Sequence, residues 1–142
     1  MKWVNHQIVT GVVVYTATQN LLFAAYSMDG AILPDKMEGN PRTAKNYWSW
    51  RSKHRGWSHW PLLYLAVLGA LLAVNRGNMS VTGLWDMSTI AGYMMVGALL
   101  HIAEDALCGK VPFLHPAQKI GLKLFAVGSV LEYLFSIAFV LL

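Results

Sequence analysis

Long apolar runs separated by short polar segments dominate the chain. Three of these runs are long enough, or nearly so, to cross a hydrocarbon core, since roughly 30 Å requires about 20 helical residues. They cover 58–74, 84–107 and 122–142, and a fourth region at 4–33 is interrupted by polar residues. The pattern predicts an all-α fold, a polytopic membrane helical bundle with three full transmembrane spans plus an N-terminal span or a re-entrant helical hairpin.

The polar interruption of the first region raises a geometric question. A continuous helix over 4–33 would be about 45 Å long and would put His6 and Asp35 on opposite membrane faces. The segment from Thr16 to Asn20 suits a break that is buried against protein better than it suits contact with lipid. We favour the folded-back form, which brings His6 and Asp35 to one side.

Helix start and stop signals set the expected boundaries of the later spans. Ser58 is the predicted N-cap of the second span, with His59 at the first helical position and Pro61 in the first turn. Gly109 and Pro112 end the third span. These signals predict that the second helix begins near Ser58 and that the third helix ends near Cys108.

Composition indicates one small membrane domain over 1–142. The chain has 142 residues, of which 56% are hydrophobic and 13% charged, and its mean hydropathy is +0.43. This is too apolar for an ordinary soluble domain and too short for two domains. Its one cysteine, Cys108, excludes an internal disulfide.

The formal net charge of +4 is concentrated in the loop at 34–57. The basic residues of this loop are Lys36, Arg42, Lys45, Arg51, Lys53 and Arg55. The positive-inside tendency places this loop and the loop after Cys108 in the cytoplasm, and Leu142 outside. Beside such apolar runs, the interleaved Arg and Trp residues favour membrane lipids as the partner, and no nucleic acid is expected.

Two short motifs carry candidate metal chemistry. His101 and Asp105 are four residues apart, so one helix face carries both. His54 and His59 flank Arg55-Gly56, where glycine allows the backbone to bend. Imidazole and carboxylate are ligands of Zn²⁺. The alternatives are that Asp105 orients a core histidine and that the two loop histidines are solvated.

Other ionisable residues leave several roles open. Glu104 points about 100° away from the His101–Asp105 face and could be a second ligand, a general base or a snorkelling acid. Arg55 suits a phosphate group. His115 is predicted to be a loop residue at the membrane interface. Glu132 lies near the middle of an apolar run and therefore needs a partner, which the sequence does not identify.

The order and spacing of four motifs resemble the YdjM-like family of membrane-bound proteins, which are described as metal-dependent hydrolases. The motifs are Asn5-His6-Gln7, Leu33-Pro34-Asp35, His54-Arg55-Gly56-Trp57-Ser58-His59 and His101-Ile102-Ala103-Glu104-Asp105, with Pro112 beyond. The resemblance covers roughly 5–116. It implies a protein of the bacterial inner membrane with a metal cluster formed by His6, Asp35, His54, His59, His101 and Asp105.

The resemblance has one departure that concerns a ligand. After its first Asp the family has a second Asp and a His, whereas this chain has Lys36-Met37-Glu38. A metal ligand is therefore lost here or replaced by Glu38. A weaker likeness to zinc-dependent phospholipase C and P1-type nucleases suggests a phosphodiester substrate, by analogy alone.

The expected mechanism is hydrolysis at the cytoplasmic headgroup level. Six ligands would suit one or two divalent ions, most simply zinc, that activate a water at neutral pH. Asp35 or Glu104 would take the proton, and Arg55 with the helix N-terminus at His59 would bind phosphoryl oxygens. A phospholipid or another phosphodiester would be the substrate.

Two other function classes stay open at this stage. The chain could be a non-catalytic, metal-stabilised small membrane subunit that binds a partner protein, a lipid or a second copy of itself. The altered segment around Glu38 favours this alternative. An ion or proton pathway would instead need ionisable residues through the whole membrane depth.

Overall fold

The computed structural model describes residues 1–39, Trp48, 54–75 and 86–141, and it is mostly helical. The helices are α1 (Trp3–Thr18), α2 (Leu21–Gly30), α3 (Leu33–Met37), α4 (Pro61–Val74), α5 (Met87–Cys108) and α6 (Val130–Val140). A 3₁₀ turn at Trp57–His59 precedes α4, and the short strands β1 (Val111–Pro112) and β2 (Lys119–Ile120) pair antiparallel after α5.

The N-terminal region folds back on itself between α1 and α2. Gln19 adopts a left-handed conformation with φ of 52°, and the Asn20 side chain caps α2 by accepting from the N–H groups of Leu22 and Phe23. The two helices then pack against each other. The chain thus forms the helical hairpin and not one continuous helix over 4–33.

The expectation that this break is buried against protein is wrong, because Gln19 at its tip is exposed. The polar groups of the break between α1 and α2 form hydrogen bonds with nearby backbone atoms instead. The hydroxyl of Thr18 donates to the Val14 carbonyl at 2.8 Å, and the Gln19 side chain donates to the Thr16 carbonyl at 3.1 Å. Hydrogen bonds within the turn make a protein partner unnecessary there.

Helix α5 packs against α2 and α4, while α6 packs against α1. Two glycines allow α2 and α5 to approach closely. A Cβ atom on Gly30 would overlap the backbone carbonyl of Met94, and one on Gly97 would overlap the carbonyl of Ser27. Small residues at such crossings let helix backbones touch, which is a common device between membrane helices.

The predicted spans are only partly present as helices. In the part of the chain that the structure describes, α5 alone is long and apolar enough to cross a membrane. Helix α4 begins at Pro61 with Trp60 as its N-cap, so the predicted start at Ser58 is wrong and His59 lies in the 3₁₀ turn. Three transmembrane spans are therefore not confirmed.

The last apolar run forms a much shorter helix than predicted. The chain is not helical at 122–129, and α6 has 11 residues, which is about 17 Å. Gly128 has a φ of 78°, and Ser129 caps the helix by accepting from the N–H of Glu132. The helix starts at this cap, although hydropathy extends the apolar run back to Leu122.

Burial is inverted relative to a water-soluble domain. His6, His59, His101 and Glu132 are among the largest fully buried side chains. Helix α4, by contrast, leaves most of its apolar residues exposed and buries only Tyr64. A polar interior behind an apolar surface is the arrangement that lipid surroundings favour.

Candidate metal centre

Four separate segments bring histidines and carboxylates together at one end of the bundle. The start of α1 provides His6, and α3 with the residue after it provides Asp35 and Glu38. The turn before α4 provides His54 and His59, and the last two turns of α5 provide His101, Glu104 and Asp105. The hairpin makes this possible, because it returns the chain to the end at which α1 began.

Four ligand atoms form the middle of the cluster: Nε2 of His59, Nε2 of His101, Oδ1 of Asp35 and Oδ2 of Asp105. The two ring nitrogens are 3.2 Å apart. From His59, the oxygens of Asp35 and Asp105 lie at 3.3 and 3.5 Å, and from His101 both lie at 3.8 Å. Four of these five distances join residues that lie far apart in the sequence. The fifth joins His101 to Asp105, which is one helical turn away.

These distances fit a small divalent cation. Ligand atoms about 2.0–2.1 Å from a tetrahedral Zn²⁺ are roughly 3.3–3.4 Å from one another. In addition, Oδ1 of Asp35 and Nε2 of His6 are buried and have no hydrogen-bond partner. Buried polar atoms are normally paired, so these two atoms are available as ligands for a cation.

His6 extends the cluster on the α1 side. Its Nε2 lies 3.3 Å from Oδ1 of Asp105, and its ring centroid is 3.9 Å from that of His101. One potential ligand atom from each of these three residues lies within 4.8 Å of the others. The N-terminal amine of Met1 is also here, 2.6 Å from Oδ1 of Asp105.

Glu104 lies behind His6. Its carboxylate contacts Nδ1 of His6 at 2.6 Å and accepts from the Thr10 hydroxyl at 3.1 Å. This leaves Nε2 of His6 directed at Asp105. Carboxylates that hold the far nitrogen of a histidine ligand fix the ring orientation and the tautomer of that ligand.

Glu38 holds the Nδ1 atoms of two other histidines, as Glu104 holds that of His6. Its Oε2 accepts from Nδ1 of His54 at 2.5 Å, and its Oε1 accepts from Nδ1 of His59 at 3.0 Å. The Arg55 N–H at 2.8 Å, the Gly56 N–H at 3.4 Å and the Ser58 hydroxyl also donate to Oε1 of Glu38. Burial opposes the ionisation of Glu38, but the hydrogen bonds from His54, His59 and Ser58 lower its pKa well below the usual range.

Asp35 borders the cluster on its more open side, with a side chain that is 14% exposed. The indole Nε1 of Trp3 donates to its Oδ2 at 2.7 Å, which leaves Oδ1 for the cluster. Burial raises the pKa of Asp35, yet the imidazoles of His59 and His101 close to its carboxylate outweigh burial and lower it. Asp35 is therefore an anion at neutral pH.

Arg55 is bound to the cluster by an ion pair. Its Nε lies 2.8 Å from Oδ2 of Asp105. The sharp bend in this segment is carried by Arg55 itself, which has a φ of 57°, whereas the sequence pointed to Gly56. The predicted phosphate site formed with a helix N-terminus at His59 is not present in that form, since α4 begins at Pro61.

The structure brings all the predicted site residues into one cluster. These are His6, Asp35, His54, His59, His101 and Asp105 as predicted ligands, with Arg55 and Glu104 as predicted catalytic residues. His115 is exposed and lies outside the cluster, as predicted. Sequence reasoning missed the contributions of Trp3, Thr10 and the Met1 amine, which no motif signals.

An open cleft of about 660 Å³ adjoins the cluster at Glu38. The 3₁₀ turn and the end of α3 form one wall, and the loop between β1 and β2 forms the other; the lining residues include Met37, Glu38, Trp57, Ser58, His115 and Lys119. A hydrogen bond from the Trp60 indole to the Leu114 carbonyl joins the two walls. The lining is thus mainly apolar, with one cationic residue, Lys119.

Comparison with known protein families gives a match over nearly the whole chain. A family model described as YdjM inner membrane protein matches residues 1–141, so the match includes every segment that contributes to the cluster. A search of curated proteins found no match, and a search of solved structures found none either.

Proposed function

Since the chain belongs to the YdjM inner membrane protein family, and is thereby a protein of the bacterial inner membrane, we propose that it is a metal-dependent phosphodiester hydrolase. The observation that supports this most directly is the triad of Asp35, His59 and His101, whose ligand atoms lie 3.2 to 3.8 Å from one another, close to the separations expected around Zn²⁺. Asp105 lies beside both rings as a fourth candidate ligand. A second cation beside the first would be held either by His6 with His101 and Asp105 or by His54 with Asp35 and Glu38.

We propose that the cluster lies at the cytoplasmic headgroup level. The basic loop at 34–57 provides the turn before α4, and the cluster occupies the same end of α5 as Cys108. A positively charged loop favours the cytoplasmic side. In this arrangement α5 crosses the membrane, and α4 leaves the cluster towards the other face.

The cleft at Glu38 is the proposed substrate entrance. It combines exposed apolar side chains, Met37 and Trp57, with the cationic Lys119 on the opposite wall. Phe113 and Leu114 are also exposed on the neighbouring β1–β2 loop. Such a surface suits the boundary between headgroups and acyl chains, so a phospholipid or a lipid-linked phosphate is the substrate class that fits best.

The chain's own residues have separable roles in this proposal. A bound divalent cation would supply Lewis acidity towards a phosphoryl oxygen and would lower the pKa of a water. Asp35 is the proposed proton acceptor, because it is the carboxylate nearer the open side, whereas Glu104 is bonded to His6 and Thr10. Arg55 balances the charge of Asp105, and Glu38 and Glu104 position the histidines.

A second candidate is supported by the burial of the rings. His6, His59 and His101 have no solvent exposure, which is typical of structural zinc sites that protein ligands close completely. In this alternative the cation only ties the loops to the bundle, and the cleft binds a lipid or a partner protein without turnover.

One experiment separates the two functions. Protein reconstituted in nanodiscs with added Zn²⁺ would be assayed on a chromogenic phosphodiester and on phospholipids, beside Asp105→Asn and the control Asp86→Asn, a change at the opposite end of α5. The hydrolase proposal expects turnover that Asp105→Asn abolishes together with the bound metal. Stoichiometric metal without turnover on either substrate would support the structural alternative.

A further inference from the structure

Glu132 is a buried carboxylate outside the metal cluster. It has no solvent exposure, although it lies on α6, whose neighbouring residues Leu131 and Leu134 are exposed. A carboxylate buried in this way is costly unless several donors satisfy it. Its partners therefore identify its role.

The donors to Glu132 come from two helices. Its Oε2 accepts from the N–H of Gly128 at 2.6 Å, next to the N-cap of its own helix. Its Oε1 accepts from the N–H of Lys2 at 2.7 Å and from the side-chain amide of Asn5. Oε2 of Glu132 thus binds the start of α6, and Oε1 binds the start of α1.

Within the part of the chain that the structure describes, no other side chain caps the start of α1. Lys2 is its N-cap residue and makes no capping hydrogen bond with its own side chain. The first N–H groups of a helix need partners, and Glu132 provides one from across the bundle. Asn5, the second residue held by Glu132, directly precedes His6.

We propose that Glu132 is a positioning residue for the metal site: by fixing Lys2 and Asn5, it holds His6 against Asp105 and His101. The relevant separations are 3.3 Å from Nε2 of His6 to Asp105 and 3.9 Å between the rings of His6 and His101. A rotation of α1 by a fraction of a turn would remove His6 from both. This inference rests on the metal site of the proposed function.

The competing explanation is a purely local helix cap. Ser129 and Glu132 have the spacing of a capping box, and the Ser129 side chain accepts from the N–H of Glu132. If Glu132 only stabilised α6, its loss would resemble the loss of Ser129. Ser129→Ala is therefore the matched control, because it weakens the same helix start without touching α1.

The test measures Zn²⁺ affinity by chelator competition in detergent, with thermal stability beside it. Glu132→Ala is expected to weaken affinity about tenfold, in line with other outer-shell positioning residues, whereas Ser129→Ala should lower stability alone. Asn5→Ala, which removes only one of the three donors, should reproduce part of the loss. Glu132→Gln, which keeps an acceptor oxygen, should restore most of the affinity.

A double-mutant cycle with His6→Ala decides the result. If Glu132 acts through His6, adding Glu132→Ala to His6→Ala should change affinity no further. An equal loss in both backgrounds, or an equal loss in Ser129→Ala, would overturn the inference and leave only a structural role. Should Glu132→Ala fail to fold, the same cycle with Asn5→Ala gives the answer. Wild-type protein without metal affinity would instead contradict the proposed function itself.

Discussion

Nε2 of His59 and Nε2 of His101 lie 3.2 Å apart and face each other. Two neutral imidazoles can share one hydrogen bond across such a gap, but here the carboxylates of Asp35 and Asp105 also border it. Neighbouring residues also fix the orientation of each ring. Glu38 accepts a hydrogen bond from Nδ1 of His59, and the ring of His6 packs against the ring of His101. Such rigid convergence on one point is suited to a cation.

The first prediction concerns metal content. Protein purified without chelator should contain about one or two equivalents of Zn²⁺ or a similar metal by elemental analysis. Asp105→Ala should remove most of it, because Asp105 borders both His59 and His6. His115→Ala, an exposed histidine outside the cluster, should leave the content unchanged.

A different pattern would indicate ordinary burial. If His101 is only a core histidine, the wild-type protein would contain no metal, and His101→Ala would not change that. The substitution would only lower the free energy of unfolding by roughly 1–3 kcal/mol, which is the cost of leaving buried groups unsatisfied. Protein that binds no zinc, manganese or iron when each is supplied would contradict both functions proposed above.

The second prediction concerns Glu38, which the sequence offered only as a replacement ligand. Glu38→Gln should weaken zinc affinity by about 10–100-fold, because it disturbs the orientation of both His54 and His59. Asp86→Asn is the matched control, since Asp86 caps the opposite end of α5. That change should lower stability but leave zinc affinity as it was, and equal losses of affinity in both variants would argue against the positioning role.

The third prediction is a pH dependence of metal binding. The pKa values of Asp35 and Glu38 are lowered, so these carboxylates stay ionised at neutral and mildly acidic pH. Protons therefore compete with the cation at the imidazoles. Burial opposes the charged form of His59, but the carboxylates of Asp105, Asp35 and Glu38 beside it outweigh burial and raise its pKa to about 10. Zinc affinity should therefore rise as pH increases from about 5 to about 8 and should still be rising at pH 8. Isothermal titration in buffers of different ionisation enthalpy should show proton release on binding. Affinity that is flat across this range would mean that histidines are not ligands.

The fourth prediction tests the close approach of α2 and α5. Gly97→Ala should lower the free energy of unfolding by about 1–3 kcal/mol, because the new methyl group would overlap the Ser27 carbonyl. Gly69→Ala on α4 is the control, since a Cβ there meets nothing within 4 Å. It should be neutral or stabilising by up to about 1 kcal/mol. Equal thermal shifts in detergent for the two variants would contradict the described packing.

The fifth prediction concerns orientation. Cys108, at the cluster end of α5, should resist an impermeant maleimide in sealed spheroplasts and react once the membrane is opened. In a Cys108→Ser background, Met87→Cys at the other end of α5 should react in sealed spheroplasts, because Met87 is exposed. Rapid labelling of Cys108 in sealed spheroplasts would reverse the proposed topology.

The sequence predicted the cluster better than the helices around it. His101 and Asp105 share a helix face by simple periodicity, and the polar interruption before Leu21 indicated the hairpin. Hydropathy could not detect the late start of α6, since Leu122 to Val127 are as apolar as the helix that follows and Ser129 with Gly128 decides the boundary. The partners of Glu132 were also out of reach, because Lys2 and Asn5 lie about 130 residues away.

The distance along the chain between the cluster's members has a consequence for stability. Cations held by the groups His6–His101–Asp105 and Asp35–His59–His101 would act as reversible cross-links that close loops of up to about a hundred residues, as a disulfide does in secreted proteins. With its one cysteine, the sequence cannot form an internal disulfide that ties these segments together. Chelation should therefore loosen one end of the bundle first, with the helices themselves left intact.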